Sequence, residues 1–508
     1  MIKYAGPVSC VLALLAMTAN AQTATGGQAA KRTPSSTCTG HYPSYFQDPA
    51  FTSTGMWNNQ VIINRPTPKW RGPVFRLSEA YQTAVSEGTY PWLKFNPFDA
   101  TLTPARKTRE AARYIWAVMH YIQEGNIDSG NIEDDWTLCH NRVRKWFHMP
   151  YQTYDPLSGR EFIHGLTREA PVTTTLEDGK QIKTTIWAVG FYNPAAGQSI
   201  GKVWTGAPAP KTPARNFHFN DGSVIGKLLF TTATPNQYPF LVNMPVWHAN
   251  ISAAEFCSCT PTGGTQCTYR EETGQCPRTV SEVYLLQFDI AVRDPRSPIG
   301  WAYGTFVADG SRKAEESSSW NRLSALGLMW SNDTPPSGTG AASYPRDPRK
   351  NGFRGGVIFW DTVDMLNQST DAGHLGCDRR LNGPADNVLS SCLSCHQTAS
   401  VPDSANRTPA ILYQFGGFKN ENGQCLPHPN AADLEIDQVY FKSFACSASF
   451  AGPAAIVPPP TYASGATEWI STDFSLQLSI SLDQWQEWQQ DRAEKTMMHV
   501  FDGVLPRR

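Results

Sequence analysis

The pentad Cys392-Leu393-Ser394-Cys395-His396 constrains this chain more than any other stretch of it. Two thiols three positions apart, followed at once by an imidazole, form the C-x-x-C-H pattern of covalent haem c attachment. The thiols add to the two haem vinyl groups, and the adjacent histidine then reaches the iron as proximal ligand. At this chain's Cys and His frequencies chance would supply such a pentad about 0.006 times. The competing reading is a redox or zinc C-x-x-C with an incidental histidine. A zinc site would want a second pair at matching spacing, and none is evident. Cys392 and Cys395 are therefore expected to carry the thioethers of one haem c, and His396 to bind its iron.

Haem is attached in this way outside the cytoplasm, and the start of the chain points to export. Lys3 precedes an apolar run from Val8 to Met17, and Ala19-Asn20-Ala21 stands before Gln22. A short basic region, an apolar stretch of about ten residues and an A-x-A cleavage site make a secretory signal; the alternative is a buried N-terminal helix. The expected location is periplasmic or secreted. Cys10 lies within the apolar run and is lost with it, leaving eleven of the twelve cysteines for an oxidising compartment. Beside the pentad stand Cys38, Cys139, Cys257, Cys259, Cys267, Cys276, Cys377, Cys425 and Cys446. Their number is odd, so at least one is free or paired between chains. Cys257 to Cys276 crowd into a Thr/Gly-rich stretch that reads as an insertion stapled by two disulfides, in preference to a metal cluster.

Charge excludes one class of partner. With 43 Lys+Arg against 44 Asp+Glu the formal net charge is −1, and no basic stripe exists to displace counterions from nucleic-acid phosphates. After the first two dozen residues no uncharged apolar run approaches the roughly 20 residues that span a bilayer, so no transmembrane segment is expected in the mature protein. An aromatic share of 11% is ample core material and argues against a disordered chain.

Periodicity divides the chain. Residues 1–21 are the signal peptide and 22–37 a flexible lead-in. Residues 38–170 form a helical N-terminal region. Its clearest helix runs from Thr103 to Glu124, with Thr103 as N-cap, Pro104 at the first helical position and Gly125 as the stop. Ala112, Ile115, Trp116, Met119 and Ile122 give it one buried face. His140, His148 and His164 sit among Trp146, Phe147 and Phe162, where a structural role outweighs a metal or distal-haem one. From residue 171 to 400 the character is that of strands: Ile186 to Tyr192, Ser223 to Thr231, Val283 to Val292 and Trp301 to Val307, with a shorter apolar run from Val357 to Trp360. Residues 401–508 are a C-terminal extension, in which Ser481 is expected to cap a helix from Leu482 to Met498. The fold class is α+β: an antiparallel sheet forming the haem domain, a helical N-terminal region and a C-terminal extension.

Three segments, in order along the chain, resemble the cytochrome P-460 and beta-type cytochrome c-prime group of haem proteins. Phe219-Asn220-Asp221-Gly222-Ser223-Val224-Ile225-Gly226-Lys227-Leu228 is similar to that family's F-x-D-G-T-V-x-x-K-E-L strand. Phe288-Asp289-Ile290-Ala291-Val292-Arg293-Asp294, followed by Trp301-Ala302-Tyr303, is similar to its L-E-A-S-V-K-D strand and later W-A-F. The pentad is the third. The resemblance covers residues 210–310 and 390–400, and 91 positions separate Trp301 from Cys392. It implies that Lys227 holds the position whose lysine is bonded to the haem macrocycle in P-460 members, a bond absent from the cytochromes c-prime. It also implies that Asp289 takes the place of the distal carboxylate.

The residues have a reading of their own. Asp221-Gly222 is a turn signal before a strand in which Ile225 and Lys227 share a face. A lysine there either snorkels to solvent or meets a partner. Asp289, between Phe288 and Ile290, lies either on a solvent face or in a cavity suited to proton transfer. If the iron's distal position is open, the expected activity is a haem-dependent oxidoreductase or ligand-binding protein. Its small-molecule substrates or ligands would be hydroxylamine, nitric oxide or peroxide, and its protein partner a redox protein. A distal Met or His (Met497, Met498 and His374 are candidates) would make it a six-coordinate electron-transfer cytochrome c. A third class keeps the haem as a folding staple in a partner-docking protein.

Overall fold

The computed structural model describes most of residues 75–330, together with 349, 355–367, 396, 399–402, 418–419, 425–426 and most of 469–489. Its long helix is the one that the periodicity predicts. Helix α1 spans Pro104–Gln123, Thr103 precedes it in extended conformation, and Gly125 turns the chain out at φ 77°. A glycine is required there because the left-handed region is costly for other residues. The buried face is centred on Ala111, Ile115, Val118, Met119 and Ile122. It is rotated from the expected stripe, so that Ala112 and Trp116 fall on its rim. The rotation follows from contact with the sheet. Ile115 drops onto Gly304, where a Cβ would lie 2.7 Å from its Cδ1.

That sheet dominates the molecule and makes the architecture α+β. Eight strands pair antiparallel throughout: β1 Thr167–Thr175, β2 Gln181–Tyr192, β3 Val224–Thr231, β4 Val246–Ser252, β5 Arg278–Arg293, β6 Trp301–Ala308, β7 Leu323–Met329 and β8 Gly356–Ile358. The order across it is β1-β2-β3-β5-β6-β7-β8, with β4 pairing the first half of β5. Four of these strands were legible from their β-branched and aromatic residues between turn signals. Strands β1, β4 and β7 were not among the expected elements, nor was helix α2, Pro194–Val203. The run Val357 to Trp360 divides, ending as β8 and then starting helix α3, Trp360–Asn367.

Both faces of the sheet are covered, which explains why so many strand residues are apolar. Val224, Leu228, Phe288, Ile290, Ala302 and Phe306 point to the face on which α1 packs. Tyr192, Ile225, Ala291, Tyr303 and Val307 point to the other, against α2, α3 and a helix at 476–486. The last of these corrects an expectation. Ser481 is not its cap but lies inside it, fully buried. The helix begins earlier because Ser475 supplies the capping oxygen, accepting from the Leu478 amide at 3.2 Å. Short strand pairs join Ser400–Pro402 to Trp469–Ser471 and Phe418–Lys419 to Cys425–Leu426. Among the described residues no helix is long and apolar enough to cross a membrane.

One buried side chain ties these layers together. Asn193, with no exposed surface, caps α2 by accepting from the Ala196 amide at 3.0 Å. The same oxygen accepts from the Val224 amide at 2.9 Å, which sets the start of β3. Its nitrogen donates to the Gly222 carbonyl at 2.9 Å and to the Tyr121 hydroxyl of α1 at 3.1 Å. Truncating such a residue leaves several buried groups unpaired. Asn193→Ala is expected to cost about 3–5 kcal/mol in urea unfolding. Asn193→Asp keeps both acceptor bonds but sets a buried carboxylate oxygen against the Gly222 carbonyl, and is expected to be destabilising as well.

Candidate active site on the second face of the sheet

Register brings the two residues singled out by sequence to neighbouring positions. Lys227 on β3 stands directly opposite Asp289 on β5, and Asp289 directly opposite Thr305 on β6. By alternation all three share the face of Ile225, Ala291, Tyr303 and Val307. Of the two readings open for Lys227, the structure selects a partner: its Nζ lies 3.1 Å from Glu169 Oε1 on β1. Strand β2 lies between them, and on it Gly190 is the residue opposite Lys227. The Lys227 side chain is largely covered, at 16% exposure, the situation in which a charge needs a counter-ion, while Glu169 lies at the exposed margin of β1.

Asp289 is half-buried rather than turned fully to solvent. Its Oδ1 accepts hydrogen bonds from Gln287 Nε2 at 2.8 Å and from Thr305 Oγ1 at 3.0 Å. Gln287 is two residues away on the same strand face, and Thr305 is the cross-strand partner. The carboxylate is thus fixed by donors on two strands, the arrangement that holds a general base in one orientation. Neither Glu169, Gln287 nor Thr305 was named from sequence. Gln287 could have been found by stepping two positions from Asp289, whereas Glu169 sits beside the irregularity between Arg168 and Pro171 and has no such signal.

His396 lies over the same face. Its ring centroid is 4.5 Å from that of Tyr303, and its Nδ1 is 2.8 Å from the carbonyl oxygen of Phe474. Burial pushes its pKa down to about 4; the Phe474 hydrogen bond works the other way, and the Lys227 ammonium contributes a smaller lowering. A neutral imidazole whose Nδ1–H is donated to a backbone carbonyl has Nε2 left as its ligating atom, the pattern of a metal-bound histidine. Of the pentad's expected haem ligands His396 alone is described, and its hydrogen bonding is that of an iron ligand. Cys392, Cys395, His140, His374, Met497 and Met498 lie outside the described residues, as does the cysteine-rich stretch 257–276. Among the described residues no group of three or more His, Cys, Asp or Glu is placed to hold a metal ion.

Phe474 reaches His396 from a strained backbone. It and Asp473 adopt φ of 62° and 52°, a conformation costly for a bulky side chain. Asp473 is fully buried and accepts from the Phe219 amide at 2.8 Å, with Arg293 Nε 3.3 Å away. The two residues thereby fasten the C-terminal segment to the turn that opens β3.

Two other histidines, His148 and His164, are held in aromatic packing. His148 packs edge-on against Phe75 and accepts from the Ser78 amide at 3.3 Å. His164 stacks flat on Trp247 at 4.4 Å, beside the buried Glu161 carboxylate, which accepts from the amides of Ile163, His164 and Asn250. Burial, and then the nearby His248, push the His164 pKa down to about 3. An unfolded histidine binds its proton near pH 6.5, so the unfolded state gains protons first as pH falls. Stability is therefore expected to decline from about pH 6.5 towards pH 3, and His164→Gln to flatten that decline in urea titrations run across the range. Comparison with known proteins finds no matching family model, no matching curated protein and no matching solved structure.

Proposed function

We propose that this chain is an exported, periplasmic or secreted haem c protein that acts as an oxidoreductase on small nitrogen species, hydroxylamine or nitric oxide, or on peroxide. The observation that carries the reading is the gathering of His396, Lys227 and Asp289 on one face of the sheet. In the cytochrome P-460 resemblance these are the axial ligand, the cross-linking lysine and the distal carboxylate. Three positions scattered over 170 residues of sequence have no structural need to converge.

Each residue then has a role. Cys392 and Cys395 hold the macrocycle through thioethers, and His396 binds the iron through Nε2. When bound, the haem supplies a redox-active iron and a site for a small ligand. Asp289, held at Oδ1 by Thr305 and Gln287, takes a proton from the N–H or O–H of a substrate as general base. Lys227 stands at the position of the cross-linking lysine, its charge balanced by Glu169. A redox partner protein would take electrons when hydroxylamine or nitric oxide is oxidised and supply them when peroxide is reduced.

Attachment is tested first. Purified protein is expected to keep its haem through acid-acetone extraction, and Cys395→Ala to leave it loosely held or absent. Protein that releases all of its haem overturns the reading. An open iron predicts a high-spin spectrum and rapid carbon monoxide binding to the ferrous form. A low-spin spectrum indifferent to carbon monoxide would instead make the protein an electron carrier.

The polar row is tested next. Asp289→Asn is expected to lower hydroxylamine turnover by about 10²–10⁴-fold while leaving haem content unchanged. Thr305→Val, which removes one donor to Asp289, is expected to lower it less. In Lys227→Ala a cross-linked haem would lose its red-shifted ferrous Soret band, and intact mass would separate that from a haem held by thioethers alone. Full activity in Asp289→Asn would remove it from the mechanism.

A further inference from the structure

A second site opens on the stretch leading into β3, and it does not depend on the haem reading. Residues 211–221, the end of α2 and Arg293 enclose a cleft of about 680 Å³, within the range of small-molecule sites. Its charge is one-sided. Lys202, Lys211, Arg293 and His218 line it against a single carboxylate, Asp221. Two of these cations are held in place. Lys202 Nζ rests on Asn220 Oδ1 at 3.1 Å, and Asn220 is itself fixed by its bond to Gln198 Oε1. Arg293, 14% exposed, donates through a terminal nitrogen to the Gly300 carbonyl at 2.6 Å, and its Nε faces the buried Asp473. His218 Nδ1 lies 3.7 Å from the other oxygen of Asp473, which has no hydrogen-bond donor of its own.

These contacts leave an excess of positive charge at the mouth. Asp473 balances Arg293 from behind, but no carboxylate among the described residues forms an ion pair with Lys202 or Lys211. An ammonium resting on an amide oxygen has further protons to donate. The floor contrasts with this rim, because Val203, Phe217 and Phe219 contribute buried apolar surface. Apolar walls with a few converging cations suit a small molecule bearing an oxyanion. We infer that this cleft binds a small carboxylate- or phosphate-bearing anion, gripped by Lys202 and Lys211 and oriented by Arg293 and His218.

The test is isothermal titration of the full-length protein, as purified, at low ionic strength, with inorganic phosphate in one arm and succinate in the other. Saturable binding in either arm is expected, and the stronger arm tells phosphate from carboxylate. The double variant Lys202→Ala/Lys211→Ala is expected to bind at least 10-fold more weakly. Both lysines are exposed, so the fold should survive; the charge reversal Lys211→Glu provides a second variant with the same expected direction. A control with the same change of charge, Arg106→Ala/Arg109→Ala on the exposed side of α1, is expected to bind as the wild type does. Absence of saturable binding in both arms overturns the inference. So does an equal loss in the control, which would show attraction by overall charge alone. Neither result bears on haem attachment, which extraction tests separately.

Discussion

The four hydrogen bonds of Asn193 are the constraint on which the site's geometry depends. An amide side chain has one acceptor oxygen and two donor hydrogens, and here they reach α1, α2, the turn at Gly222 and the first residue of β3. Because the start of β3 is pinned, its register is pinned, and a slip of one residue would send Lys227 to the opposite face. The turn has little freedom either. Gly222 sits at φ 82° with Tyr90 packed where a Cβ would be, so no side chain fits. Position 227 is thus decided by atoms several residues upstream.

The two faces of the sheet divide the work. The face under α1 is close-packed and carried by aromatic contacts, such as Trp247 stacked on Phe230 at 4.2 Å and Trp136 against Trp320 at 4.7 Å. Its role is stability, since rings of this size bury large apolar areas. The opposite face is also apolar at its margins, but across β1, β3, β5 and β6 it carries Glu169, Lys227, Asp289 and Thr305. Charged groups inside a covered face are destabilising unless paired, and each has a partner at hydrogen-bonding distance.

Asp473 and Phe474 connect this face to the C-terminal segment. Adjacent non-glycine residues in the left-handed region cost roughly 1–3 kcal/mol each, and persist only where surrounding contacts impose them. The contacts are visible on both sides: the Asp473 carboxylate takes the Phe219 amide, and the Phe474 carbonyl faces His396. The strained pair is therefore where a residue from the pentad and the strand opening at β3 are brought to a common frame, although 254 positions separate Phe219 from Asp473.

Local rules made parts of this protein legible in the sequence. Helix α1, with its first-turn proline and terminating glycine, follows from chemistry confined to twenty residues, although Thr103 makes no side-chain cap bond. Strands β2, β3, β5 and β6 follow from β-branched and aromatic runs between turn residues. The pentad, too, is a statement about adjacent residues. Strands β1, β4 and β7 escaped, and Ser481 misled because a serine before an apolar run resembles a cap wherever it stands. What tertiary structure alone decided is partnership. That Lys227 meets Glu169 across β2, that Thr305 holds Asp289, and that a carbonyl some eighty residues downstream orients His396 all depend on strand register and chain crossing. Those are settled by the burial of two whole faces at once, and no window of sequence contains them.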